Sequence, residues 1–536
     1  KSITISYSDI QGGQESIVTN DSGTVTWGSG NIDVNPMFVD AANGDYHLSD
    51  TSPCISAGTA SITIEGVTYT APTTDITGVP DSRPSPAGTI PDMGAYENSN
   101  GVASYSGDTY YVSASSNYGN GSSTYPFPAI QQGIDASSSG DTVSVAAGTY
   151  VENINFIGKN IAVIGADSSN TIIDGDSLAS VVMFKNQENS TALLKNFTIK
   201  NGLLIPGETQ AGGVSCYFAH PKLENLVVTE NYGGGIALFY SDSEVKNTEV
   251  KYNHSGAAFH INDDSPTLTN VYIKNNNGGK GLVITHSDNT FIQGSVIGEN
   301  SGIGIDIKFS TVEMKTTIIR DNTNSGTAGG IRIKESSNVT LSEVIVSGNS
   351  ASSFGGIYCN TQSNLIIRNS TIHNNTVTGS GGGFSIDNTS TATIINTTIT
   401  NNTAGQNGGG ILSYDASKTT LSNVTISGNT AGAYGDAIYT SRWNHVKLIN
   451  SIIWGSADQD IYLNNADNAR DTLTVSYSNI KSGQSSVTAN DIGVVYWQTS
   501  NIDSDPLFTN TSNNDYTLST GSPAIDVGHP NAFYNE

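Results

Sequence analysis

The sequence predicts an all-β chain built as a right-handed parallel β-helix with a short N-terminal capping helix. Three observations lead there. A Gly-rich turn recurs with an apolar residue behind it, at Ile236, Phe259, Leu282, Ile305, Ile331, Ile357, Phe384, Ile411 and Ile438. Alternating apolar residues in the segments between turns read as half-buried strands. An asparagine closes one strand of each period, at Asn231, Asn253, Asn276, Asn300, Asn322, Asn349, Asn375, Asn402 and Asn429.

The period separates this fold from its neighbours. The apolar column advances in steps of 23, 23, 23, 26, 26, 27, 27 and 27 residues. A period of that size holding two or three strands is one coil of a solenoid. The Leu-x-x-Leu-x-Leu pattern of a leucine-rich repeat is missing, and an antiparallel sandwich does not predict so constant a period. Coils stack about 4.8 Å apart, so residues of one column touch their equivalents above and below. Stacked asparagines can then form an amide ladder, and the glycines are expected to supply positive φ at tight corners.

A second, larger repeat sets the domain organisation. Residues 5–58 and 475–528 align without a gap at an offset of 470, and roughly half the positions are identical. Tyr7 and Tyr477, Trp27 and Trp497, Pro36 and Pro506, and Tyr46 and Tyr516 are among the shared landmarks. We therefore read residues 1–98 as the C-terminal end and closing segment of a preceding unit and 99–107 as a linker. Residues 108–536 are read as a second unit lacking its own closing segment. The missing Met at position 1 suggests a processed or excised piece of a longer precursor.

The second unit begins legibly. Asp108–Ser113 reads as its first strand, and Ala129–Ser138 as a short amphipathic helix with Ile130 and Ile134 on one face. Tyr-Pro-Phe (125–127), GDTVSV (140–145), GTYVENI (148–154) and KNIAVIG (159–165) together resemble the opening of pectate-lyase-like right-handed β-helix proteins. NIDVNPMF, GDYHLS, SPCISAG and PDMGAYE (91–97) resemble the closing part of large bacterial or archaeal surface proteins with cell-wall or sorting anchors. The resemblance implies the fold and an extracellular or cell-surface location. It implies no single activity, because the superfamily holds lyases, hydrolases, esterases, adhesins and inert spacers.

Composition narrows the partners. Charged residues are 13% of the chain, with 22 Lys+Arg against 48 Asp+Glu and a formal net charge of −26. Such a surface repels nucleic acid and anionic membranes. No apolar run is long enough for a membrane span. The three cysteines, Cys54, Cys216 and Cys359, give neither a disulfide framework nor a zinc pattern.

No catalytic set is favoured, and several candidates are named with their bland alternatives. The strand after each Gly turn offers two columns expected to face outward, which bring Asp306, Lys308, Arg332 and Lys334 within about 7 Å of one another. A β-eliminating polysaccharide lyase needs such cations to neutralise a uronate and remove its α-proton. The alternative is a cross-strand ion pair, Asp306 with Arg332, beside solvated lysines. Tyr358, Tyr414 and Tyr439 offer a stacking platform for sugars, or else packing against neighbouring coils. Asp263 and Asp264, with Asp242 one coil earlier and His286 one coil later, are the acidic set a hydrolase would use; turn aspartates also serve as Asx acceptors. Asp503 and Asp505, Asp458 and Asp460, and Asp33 are acidic turns suited to Ca²⁺, and no other cofactor is indicated. The leading expectation is a structural or adhesive unit whose copies stack head to tail, residues 1–98 of one chain on 475–536 of the next. Polysaccharide is the other candidate partner.

Overall fold

The computed structural model describes residues 2–529 apart from 20–22, 51, 102–104, 118, 208–209, 456–459, 465–468, 491 and 499. The chain forms two compact units, Lys1–Gly202 with Ala219–Leu226, and Leu203–Phe218 with Val227–Glu536.

The second unit is a stack of parallel coils. Its apolar column pairs in direct register from Ile236 through Phe259, Leu282, Ile305, Ile331, Ile357, Phe384 and Ile411 to Ile438. All nine side chains are fully buried. Burying a side chain of that size contributes about 1.5–3 kcal/mol, and every coil adds one to the same continuous core.

Polar ladders hold the corners. Each Asn from Asn231 to Asn402 donates its side-chain amide to the Oδ1 of the next Asn, at 2.9–3.1 Å. The backbone N–H of each donates to that same oxygen. From Asn253 onward the amide also donates to a carbonyl of the preceding coil. Buried donors and acceptors are thus satisfied by repetition of one geometry. Two further ladders use hydroxyls. At one corner, backbone N–H groups of Ser287, Ser310, Ser337 and Ser363 donate to the Oγ of Ser310, Ser337, Ser363 and Ser390. At another, Val344, Val424 and Ser451 donate to Ser370, Ser451 and Ser478.

The glycines do two things: Gly233, Gly234, Gly381, Gly408 and Gly435 take the positive φ expected at the turns, and others serve close backbone approach. Gly330, Gly356 and Gly383 are absent from the positive-φ residues; a Cβ on them would meet the carbonyl oxygens of Gly356, Gly383 and Gly410 at 2.4, 2.3 and 2.7 Å. They are required because successive backbones approach too closely for any side chain. Much of the left-handed corner conformation is carried by asparagines such as Asn247, Asn270, Asn369, Asn396, Asn423 and Asn450, whose short amides tolerate it.

In the first unit the helix spans Ile130–Ala136 and buries Ile130 and Ile134. Gly133 sits so tightly on Val112 and Val143 that a methyl group would contact their side chains at 3.0 and 2.7 Å. Residues 2–98 form a small body around Leu48, Cys54, Ile55 and Met93. It abuts the helix, where Gly30 N–H donates to Asp135 Oδ2 at 3.0 Å. A cavity of about 350 Å³ lies between them, lined by Tyr7, Ile55, Tyr110, Phe127, Gln132 and Asp135.

The 470-residue repeat recurs bond by bond. Ser2–Ile5 pairs with Thr24–Trp27, and Thr472–Val475 pairs in the same register with Val494–Trp497. The hairpin of Phe38–Asp40 and Asp45–Leu48 returns as Phe508–Asn510 and Asp515–Leu518, bulge included. Asn31 Oδ1 accepts from Ser8 N–H as Asn501 Oδ1 does from Ser478 N–H, and Asp33 serves Gly12 as Asp503 serves Ser482. One difference stands out. Ile55 is 1% exposed beneath the segment carrying Met93, whereas its counterpart Ile525 is 42% exposed.

Candidate functional site

The basic group on the sheet following the Gly turns is a neutralised cluster. Asp306 is paired with Arg332 in register, and Lys308 with Lys334. The Arg332 guanidinium donates twice to Asp306, at 2.7 Å each, and Lys280 joins the same carboxylate at 2.9 Å. Burial pushes the Asp306 carboxyl up, but hydrogen bonds and charge from Arg332 and Lys280 outweigh it and hold the group below its ordinary range. Lys308 reaches Glu335 at 3.1 Å and Lys334 lies 3.9 Å from it. Burial, then the Arg332 charge, lowers the Lys334 ammonium from its usual value. A uronate entering here would have to displace existing partners from each cation.

Of the two columns expected to face outward, the second, with Lys308, Lys334, Asn360 and Tyr414, stays half-exposed, whereas most of the first is covered. Ala237, Val283, Asp306, Tyr358, Ser385, Leu412 and Tyr439 are all buried. Loops ahead of two of the strands fold across it: Phe354 stacks on Tyr358 at 3.9 Å, and the Gly381 backbone lies against Ser385 and Leu412. The tyrosine candidates are spent within this layer. Tyr439 packs between Tyr414 and Tyr462, accepts a bond from Asn464, and has its hydroxyl pushed up to about 12, chiefly by burial. Tyr358 donates to Asp387 and accepts from Asn360.

The acidic turns proposed for Ca²⁺ act as backbone acceptors. Asp503 takes the N–H of Ser482, Asp505 that of Leu507, and Asp33 that of Gly12, each at 2.9 Å. Asp458 lies outside the described residues and Asp460 is buried. Among the described residues no three His, Cys, Asp or Glu side chains converge as a metal would require. The three cysteines are buried and unbridged.

A cleft with open chemistry lies instead at a corner. Its volume is about 540 Å³, and Asp242, Asp263, Asp264, Ser265, His286, Asp288 and Phe309 line it. Phe218, Tyr240, Asp263, His286 and Phe309 occupy one corner position in successive coils, all with φ of 50–59°. Tyr240 stacks on Phe218, centroids 4.4 Å apart and planes within 4°. On the far side of Asp263, His286 stacks on Phe309 at 5.1 Å and 15°. Phe218, Tyr240 and Phe309 remain 47, 41 and 46% exposed, and Lys308 Nζ lies 5.1 Å from the centre of the Phe309 ring.

Asp264 is the odd member of a ladder. The next coils place Ser287, Ser310, Ser337, Ser363 and Ser390 here; this coil places a carboxylate, as the ladder does again only at Asp471, which accepts the Asn444 N–H. Its Oδ1 accepts from the Ser241 backbone N–H. Its Oδ2 is buried without a partner, in a residue only 5% exposed. Burial, less the help of the Ser241 bond, and the charges of Asp242 and Asp263 push its carboxyl up to about 7. The sequence brought Asp242, Asp263, Asp264 and His286 together. It missed the aromatic row, whose signal was a bulky ring one residue before the ladder position.

Solved structures similar to the chain include the pectate lyase Pel9A, at 13% identity and a TM-score of 0.36, over 80% of this chain and 93% of that one. Another is the A-module of the Azotobacter vinelandii mannuronan C-5 epimerase AlgE6, at 14% and 0.36, over 70% and 94%. A third is the pre-mature bacteriophage phi29 gene product 12, at 11% and 0.34, over 70% and 64%. No curated protein matches the chain. The model of the right handed beta helix region matches residues 212–372, 256–405 and 355–527, which together span more than half of the sequence. With its stacked coils in direct register, the chain belongs to the right-handed β-helix family.

Proposed function

We propose that the chain is an extracellular structural and adhesive β-helix unit of a repetitive surface or filament-forming protein. The observation that carries this reading is the module repeated 470 residues apart, with the same strand register and the same side-chain bonds in both copies. A stalk or filament needs a large unit repeated along its length; an enzyme gains little from it. The paired state of Arg332, Lys308 and Lys334 weighs against a polysaccharide lyase at that cluster.

The packing of residues 2–98 revises how copies would meet. The module at 5–58 abuts the helix Ile130–Ala136 of its own chain through the Gly30–Asp135 bond. Its counterpart at 475–528 leaves Ile525 and Val527 each 42% exposed. Copies then stack head to tail by placing the 475–528 module of one unit on the helix end of the next, the contact already made once within the chain. An open heterologous interface of this kind generates filaments. Immunogold electron microscopy with antibodies against the chain tests the reading on native material. Label along surface fibres is expected; label confined to the cell interior would end it.

A further inference from the structure

The module at 475–528 carries an exposed seat that its copy at 5–58 keeps filled. We propose, resting on the head-to-tail reading above, that residues 5–58 are a placeholder on a surface that the 475–528 module of a second copy takes over on assembly. That surface joins the closing segment around PDMGAYE, residues 89–98, to the helix Ile130–Ala136.

The filled seat defines what fits. Met93 shares one buried cluster with Leu48, Cys54 and Ile55. Met93 N–H donates to Cys54 O at 3.0 Å, Ser56 N–H to Asp92 Oδ1 at 2.7 Å, and the Asn98 amide to Leu48 O at 2.9 Å. The cavity beside the cluster is lined by Ile55 of the module, Pro91 of the closing segment and Gln132 of the helix. The module therefore meets segment and helix together.

The second seat has the same form. At the 470-residue offset, Leu518, Ala524, Ile525 and Asp526 stand for Leu48, Cys54, Ile55 and Ser56. Ser522 N–H donates to Ser519 O at 3.0 Å and Ile525 N–H to Ser522 O at 3.2 Å, as Ser52 does to Ser49 at 2.9 Å and Ile55 to Ser52 at 3.2 Å. Asp526 keeps the left-handed backbone of Ser56, with φ of 58° against 52°. Only the cover differs: Ile525 is 42% exposed and Ile55 1%. Burying this apolar face under a closing segment drives the contact.

Two substitutions favour the resident module. Ser56 is neutral, whereas Asp526 would bring its carboxylate beside that of Asp92 in a buried contact, where like charges repel. Cys54 donates to Asp9 Oδ2 at 3.3 Å, a bond that Ala524 and Asn479 cannot repeat. A single chain thus keeps its own module in place, and assembly proceeds by exchanging that module for its near copy, a domain swap.

The full chain carrying Ser56→Asp and Asp526→Ser tests this, because the pair moves the repulsion from the incoming module to the resident one. Sedimentation velocity over a dilution series reads association, and hydrogen exchange at residues 524–527 reads the seat. The double variant should form linear polymers at concentrations about tenfold or more below those wild type requires, with slowed exchange at 524–527. Adding Met93→Asp should weaken the polymers and restore fast exchange, while circular dichroism shows the solenoid intact. The proposal is overturned if the double variant associates no more readily than wild type, or if Met93→Asp changes neither association nor exchange. Polymers that respond to Asp135→Ala but ignore Met93→Asp would also overturn it, while leaving the head-to-tail reading standing. A chain without residues 1–98, in which the helix alone is free, tests that reading separately.

Discussion

Replacing Asn349 by alanine removes an inner rung of the asparagine ladder, and the structure allows its cost to be worked out. Four hydrogen bonds disappear: the amide's bonds to Ile319 O and Asn375 Oδ1, both 3.0 Å, and the two that Asn349 Oδ1 accepts from Asn322. The Asn322 amide keeps its bond to Ile297 O, and Asn375 Oδ1 keeps the Asn349 N–H. The Asn322 backbone N–H is left in a fully buried position without its acceptor. An orphaned buried donor costs about 1–3 kcal/mol and each lost neutral bond about 0.5–1.5. With the orphaned donor counted once beside the three other lost bonds, the sum is about 2.5–7.5 kcal/mol. Asn349→Asp should cost more at neutral pH, because Oδ2 would then face two acceptors, and protonation at low pH should return part of the loss. Urea unfolding followed by circular dichroism gives the cost, and amide exchange at Asn322 locates it. A loss below about 1 kcal/mol with unchanged exchange would refute the ladder as a stabilising element.

Ile331→Asp places an unpaired charge in the continuous core and should cost several kcal/mol, read as a lowered urea midpoint or an insoluble product. The chain should release no unsaturated uronate from pectate or alginate; ultraviolet absorbance that grows with wild type and vanishes in Lys308→Ala or Lys334→Ala would restore the lyase reading. Asp264 holds its proton to about pH 7 in the folded chain but ionises near its ordinary 3.8 when unfolded. Unfolding therefore releases that proton between about pH 4 and 7, and folded stability falls as pH rises through this window. Asp264→Asn should flatten that slope by up to about 1.4 kcal/mol per pH unit; an unchanged slope in urea midpoints would show that the carboxyl is not buried as described. Asp92 and Glu152, also pushed to about 7 by burial, add to the same slope.

The core was legible because a solenoid writes each contact once per coil. Nine apolar residues and nine asparagines at a shared period already name the neighbours each will touch. The hydroxyl ladders were harder to see, since serine is abundant throughout and only the coil geometry separates Ser310 or Ser337 from solvated serines. The covered sheet face was not legible. Whether the loop carrying Phe354 lies over Tyr358 or away from it depends on the Gly355–Gly356 backbone stacking on Gly382–Gly383, a long-range contact with no local signal. The corner site was half legible: adjacency showed Asp263 and Asp264, whereas Tyr240 meets Phe218, and Phe309 meets His286, only when the coils are stacked.

Head-to-tail stacking through the 475–528 module makes one direct demand. Deleting residues 1–98 frees the Ile130–Ala136 helix end to receive that module from another chain. Sedimentation velocity over a dilution series should show the deleted chain growing into concentration-dependent linear polymers, and Asp135→Ala, which removes the acceptor used by Gly30, should weaken them. A deleted chain that folds and sediments as a monomer at every concentration would contradict the account.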